Sequence, residues 1–208
     1  MIDQINIKLF TDINRFAGES ALLDKIAIDV AEYSPYLFIA VLFYLWFSLR
    51  KDGKYYALAA GYSSISGILI NRSITLFYFH PRPFMQEIGT QLVYHVPESS
   101  FPSDHTTFMF SIAAMLLYYR STVTIGCPLF FFGLFSGGSR VFCGVHFPFD
   151  IIGSVLVSLI AASTVWGFRK RLRVLNDFIV NVYYIMLFRR RLYTPNKQKL
   201  KSIVNNNE

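Results

Sequence analysis

Three short polar blocks interrupt an otherwise apolar chain between Thr75 and Asp150. The first is His80-Pro81-Arg82-Pro83 and the second is Phe101-Pro102-Ser103-Asp104-His105. The third is Ser139-Arg140, then His146 after five residues, then Asp150 after three more. Imidazoles, guanidiniums, a hydroxyl and a carboxylate thus stand at the ends of apolar runs, where ionisable groups are costly and mark function. Two guanidinium forks can grip a phosphoryl group while one imidazole attacks it and another protonates what leaves. His146 and Asp150 lie one turn apart on one helix face. A carboxylate there accepts the imidazole Nδ1–H and leaves Nε2 as a free nucleophile. The competing reading of Asp150 is a plain helix-dipole partner.

Arg82 and Arg140 are the expected phosphoryl clamps, being permanently charged and flanked by prolines or glycines. Pro102-Ser103-Asp104-His105 opens a helix whose free N–H groups and dipole suit an anion. Ser103 adds a hydroxyl there, or serves only as a cap. Asp104 is expected to point away from a bound phosphate. His105 is the expected acid for the leaving oxygen and then the base for water, with His80 and His95 as rivals in the same loop. Arg72, one turn before Thr75, either supplies positive charge to the site or snorkels outward. His146 and Asp150 could also ligate a metal, but two arginines aimed at one phosphate make a metal redundant.

These residues require apolar elements to position them. Of 208 residues, 53% are hydrophobic and 16% charged, with 21 Phe and 13 Tyr, a composition that points to a membrane protein of one domain. The net charge of +7 lies in the tail and in short loops, which speaks for topology and anionic headgroups rather than nucleic acid. The expected fold is all-α, a membrane bundle of about five spans, possibly six, with interfacial helices at both ends. Residues 1–34 lean acidic and carry Leu22, Leu23, Ile26, Ile28 and Val30, which suit an amphipathic surface helix rather than a cleaved signal. Spans are expected near 35–49, 55–79, 105–119, 123–142 and 149–168, so that 35–168 is the catalytic core.

Basic residues follow the first, third and fifth of these spans, at Arg50, Lys51, Lys54, Arg120 and Arg169-Lys170-Arg171. The positive-inside rule puts those ends in the cytoplasm. The motif-bearing loops then share the opposite face, as a single site requires. The tail, 169–208, carries ten Lys or Arg against Asp177 and Glu208. Its apolar stretch 178–188 is expected to be an interfacial helix.

The blocks resemble the three-part signature of the type-2 phosphatidic acid phosphatase superfamily: Lys-x6-Arg-Pro, Pro-Ser-Gly-His, and Ser-Arg-x5-His-x3-Asp. The third matches in full through Ser139, Arg140, His146 and Asp150. The second has Asp104 for Gly, and the first has Thr75 for Lys. These two departures and the size make the chain most similar to the bacitracin-resistance type of undecaprenyl-diphosphate phosphatase. The resemblance covers about residues 55–168. It implies metal-independent hydrolysis with no cofactor, through a phosphohistidine on His146. The implied substrate is a polyprenyl diphosphate in the bacterial plasma membrane, cut at the extracytoplasmic face. Ser139 and Thr75 join Arg72, Arg82, Ser103 and Arg140 as expected substrate contacts. A phosphatidate or phosphatidylglycerol-phosphate phosphatase is the alternative within the class. A transporter or antibiotic-binding protein is the alternative outside it; that reading requires charged groups at mid-membrane.

Overall fold

A computed structural model describes residues 2–50 and 52–192, with side chains from 3 to 187 within those ranges. Lys51 and the basic tail beyond 192 lie outside the described residues. The described elements are all helical: α1 (Ile2–Asn14), α2 (Ala21–Phe47), α3 (Gly53–Phe77), α4 (Asp104–Leu117), α5 (Val123–Phe142) and α6 (Pro148–Leu192). A short 3-10 helix, Pro83–Gln86, follows Arg82 in the long loop after α3. By length and apolar composition α2, α5 and the Pro148–Leu187 part of α6 can each cross a membrane. Two compact units divide the chain, Met1–Arg169 and Lys170–Glu208.

α4 is the centre of the first unit. It is only fourteen residues long, yet Met109, Phe110, Ile112, Ala113, Met115 and Leu116 are all fully buried. Its neighbours reach it through small hydroxyls. Ser63 of α3 donates to the Ser111 carbonyl at 2.9 Å. Ser154 and Ser158 of α6 donate to the Ser103 and Thr107 carbonyls, each at 3.0 Å. Small residues let helices approach closely where lipid supplies no hydrophobic drive. Gly67 shows how closely: a Cβ there would come within 2.5 Å of Ser111 Oγ and 2.9 Å of Thr107 Cγ2.

The loops sort to two ends. At one, Arg50 Nη1 donates to the Ser121 carbonyl at 3.1 Å, and Tyr119 packs against Tyr56 and Trp166. Aromatic rings beside basic residues are what a membrane–water boundary selects. At the other end the loop after α3 meets the α5–α6 turn, where Leu92 N–H donates to the Cys143 carbonyl at 3.0 Å. Gly144 makes that turn at φ +77°, in the left-handed region that favours glycine.

Three boundaries differ from the sequence expectation. Pro35 lies inside α2 rather than at the start of a span, so the residues expected to form a surface helix up to Val30 make the first turns of α2. A separate helix, α1, precedes them. At the other end no break falls near Arg169, because nothing from Phe168 to Leu192 is Gly or Pro. The expected separate helix at 178–188 is a continuation of α6.

Candidate active site

The site is built where α6 begins. Pro148 fits the first turn because it has no N–H to leave unsatisfied. Asp150 reaches back to accept the Phe147 N–H at 2.7 Å, one half of a capping box. Its buried carboxylate also receives the Ser100 hydroxyl and lies 3.4 Å from His146 Nδ1. Capping and orienting the imidazole are therefore done by one side chain. Ser100 Oγ is itself 3.3 Å from His146 Nδ1. His80 Nδ1 stands 3.5 Å from the other carboxylate oxygen.

The tautomer of His146 follows from its second neighbour. Arg82 Nη1 lies 3.1 Å from His146 Nε2, and a guanidinium can only donate. Nε2 must therefore present a lone pair, and the ring proton sits on Nδ1, facing Ser100 and Asp150. Burial is the largest cause holding the His146 imidazole down, at about 3, and the Asp150 hydrogen bond offsets it only in part. A neutral ring whose Nε2 lone pair is held only by the Arg82 hydrogen bond is a competent nucleophile once that bond is released.

Both arginines are buried, at 3% exposure each. Arg82 also donates to the Val145 carbonyl at 2.9 Å and pairs with Glu98 at 3.2 Å. Burial lowers its pKa and Glu98 opposes this, so the fork stays charged. Arg140 Nη1 donates to the Ala31 carbonyl at 3.2 Å. That acceptor is available because Pro35, four residues on, has no N–H to give it. The proline that misled the helix boundary thus leaves a ledge for the arginine. The Nε of each guanidinium has no partner among the described residues.

His105 opens α4 and lies in the field of Arg140, His95 and Arg82. His95 stacks edge-on to His146, with ring centroids 6.4 Å apart; burial, then Arg82, lowers its pKa. Ser103 caps α4, its Oγ accepting from Thr106 Oγ1 at 3.0 Å. Arg82, Arg140, His95, His105, His146 and Asp150 are thus gathered at one end.

The remaining expected residues go elsewhere. Arg72 pairs with Asp104 at 2.9 Å, and Asn71 Nδ2 donates to the same carboxylate at 2.9 Å, so Asp104 does point to α3. Thr75 donates to the Arg72 carbonyl at 3.0 Å. Arg72, Thr75 and Asp104 line a side pocket of about 210 Å³ that shares Arg82 with the site. Ser139 donates to the Phe135 carbonyl of its own helix at 3.1 Å. Among the described residues no three His, Cys, Asp or Glu side chains gather as a metal-binding group.

Sequence reasoning missed Ser100, Glu98 and Asn14, and it left His80 as a rival acid rather than a partner of Asp150. Asn14 Nδ2 donates to the Thr90 and Phe142 carbonyls at 2.8 and 2.7 Å, while its Oδ1 accepts the Thr90 N–H at 2.7 Å. It clasps the two motif-bearing segments together. Only the Ser99-Ser100 pair beside the second block carried a local signal.

An oriented neutral histidine beside a buried arginine, at one end of an apolar helical bundle, is an arrangement that can transfer a phosphoryl group. The chain belongs to the PAP2 superfamily, which matches residues 56–173, and it is a phosphatase. It is 35% identical over 179 residues to the undecaprenyl-diphosphatase BcrC of Bacillus subtilis (strain 168), covering 86% of this chain and 92% of that one. The bacitracin transport permease protein BcrC of Bacillus licheniformis is 25% identical, over 85% of this chain and 86% of its own. The crystal structure of Aquifex aeolicus LpxE superimposes with a TM-score of 0.66 at 26% identity, covering 78% of this chain and 95% of that one.

Proposed function

We propose that this phosphatase removes the terminal phosphoryl group of undecaprenyl diphosphate. Hydrolysis at the extracytoplasmic face of a bacterial plasma membrane would return the monophosphate carrier for cell-wall synthesis and support bacitracin resistance. The observation that carries the reading is the His146 geometry: Nδ1–H toward Asp150 and Ser100, Nε2 toward a buried arginine fork.

In this mechanism the terminal phosphoryl oxygens bind Arg82 and Arg140, whose Nε–H groups gain partners, and Arg82 releases His146 Nε2. Nε2 attacks the terminal phosphorus, a P–N bond forms, and the bridging P–O bond breaks. The lipid monophosphate leaves with its electron pair, and His105 gives it a proton where one is needed. His105 then takes a proton from water as its oxygen attacks the phosphohistidine, and where the monophosphate left as an anion without a proton it returns this one to solvent. The P–N bond breaks, and inorganic phosphate and the neutral imidazole are regenerated. The names of the relatives support the diphosphate substrate, and the basic residues at the opposite end support the sidedness.

The test uses the full chain in sealed right-side-out vesicles, supplied with undecaprenyl diphosphate, undecaprenyl phosphate or phosphatidate, with and without EDTA. Phosphate release from the diphosphate, without permeabilisation and insensitive to EDTA, is the expected result. Preference for phosphatidate, or hydrolysis only after permeabilisation, would contradict the substrate or the sidedness respectively.

A further inference from the structure

His80 lies in a loop, yet both its backbone and its ring are held. Its N–H donates to Ser99 Oγ at 3.2 Å, and its carbonyl accepts the Ser100 N–H at 2.7 Å. Its ring stacks on Tyr78, with centroids 6.1 Å apart, and meets Phe147 edge-on at 5.4 Å. Tyr78 is itself braced edge-on by Phe101. Pro81 then stiffens the backbone between His80 and Arg82. An imidazole supported in this way is a placed group rather than a solvated one.

The ring faces one oxygen of Asp150. Oδ2 of that carboxylate accepts the Phe147 N–H and the Ser100 hydroxyl and faces His146 Nδ1. Oδ1 is buried and has no hydrogen bond among the described residues, and the same is true of His80 Nδ1. These two orphaned atoms lie 3.5 Å apart. A lone pair on His80 Nδ1 would repel the carboxylate, so the ring proton belongs there. A closure of about half an ångström brings the pair into the ordinary hydrogen-bond range. Leaving a buried carboxylate oxygen unpaired is costly, and His80 is the side chain set to pair it.

The attack on phosphorus is where this contact acts. As His146 Nε2 bonds to phosphorus its ring gains positive charge, and Asp150 must stay in line with Nδ1–H to balance it. Two donors and the His146 ring crowd Oδ2, while His80 alone faces Oδ1 and can stop the carboxylate from turning. His80 and Arg82, one proline apart, thus hold the nucleophile at its two ends. Arg82 acts on Nε2 directly, and His80 acts on Nδ1 through Asp150. We propose that His80 is a positioning residue for the reaction, donating its Nδ1–H to Asp150 Oδ1 so that the carboxylate stays aligned with His146. The proposal rests on the reading of His146 as the nucleophile.

The experiment compares His80→Asn with His80→Leu, two side chains of nearly the same shape, in the full chain in detergent beside the parent and His146→Gln. Asparagine sets an N–H close to the position of the imidazole Nδ1, whereas leucine cannot donate. Initial rates are measured on undecaprenyl diphosphate and on phosphatidate. On whichever lipid the parent cleaves, kcat is expected to be about tenfold or more lower in His80→Leu than in His80→Asn, with the two KM values within about threefold. Equal kcat in the two variants, or a difference confined to KM, would overturn the proposal. His80→Phe keeps a ring between Tyr78 and Phe147 without the donor, and it decides if either of the others fails to fold. Its kcat is expected to lie about tenfold or more below the parent's, and a parent-like kcat would overturn the proposal as well. Turnover that survives in His146→Gln would instead refute the nucleophile reading on which the proposal rests.

Discussion

At the scale of residues the site is a chain of proton positions. Ser100 gives its hydroxyl hydrogen to Asp150, which fixes Ser100 Oγ as an acceptor for His146 Nδ1–H. Arg82 fixes Nε2 as the lone-pair end. The histidine, aspartate and arginines were legible because their spacing is itself a geometric statement: i and i+4 on a helix. Ser100 was not, since a serine gains meaning only from what the fold sets against it. Nor was the fate of Arg72, which the sequence left open and which the structure pairs with Asp104. The burial of His146 has a consequence for pH. Its folded-state value, about 3, lies below the ordinary value of ~6.5. Between those limits the unfolded chain binds a proton that the folded one refuses, so this group's effect is to lower stability as pH falls. From pH 6.5 to 5 the effect is about 2 kcal/mol at ~1.36 kcal/mol per pH unit. Unfolding midpoints in detergent should accordingly fall less steeply between pH 7 and 5 in His146→Gln than in the parent. Parallel pH profiles would show that His146 is not a buried neutral ring.

Helices act here as holders of loops. α1 buries Asn6, Phe10 and Asn14 on one side and exposes Ile5, Leu9 and Ile13 on the other, as an interfacial helix does. Asn6 accepts the Phe149 N–H at 3.0 Å, and so satisfies the start of α6. Phe10 packs edge-on to Phe147, with centroids 5.2 Å apart. The bundle's apolar runs were legible from composition. An interfacial helix at the N-terminal end was expected, but its place at Ile2–Asn14 was not legible, because its buried face is Asn6, Phe10 and Asn14, whose partners lie far along the chain. Pro35 misled for a related reason: a proline reads as a boundary until something else takes the carbonyl it frees. Asn14→Leu keeps the volume but leaves two carbonyls and an N–H unpaired, each costing roughly 1–3 kcal/mol. Turnover should drop at least about tenfold, with kcat affected more than KM, because the two motif segments lose their clasp. Wild-type kcat in a folded Asn14→Leu protein would exclude that role.

As a whole the molecule separates two ends. Basic and aromatic residues collect at one, Arg50, Tyr56, Tyr119 and Trp166 among them, and the phosphoryl chemistry sits at the other. That separation was legible from the order of charges and apolar runs, because the rule it follows is one of sequence. In the proposed mechanism His146 carries the phosphoryl group between the two halves of the reaction. That step is tested most directly by quenching the first turnover of undecaprenyl diphosphate labelled in its terminal phosphate, then mapping the label on the protein. An acid-labile, alkali-stable label on the peptide containing His146, absent from His146→Gln, is the predicted result. Label that persists in His146→Gln, or a parent protein that turns over without ever becoming labelled, would contradict it.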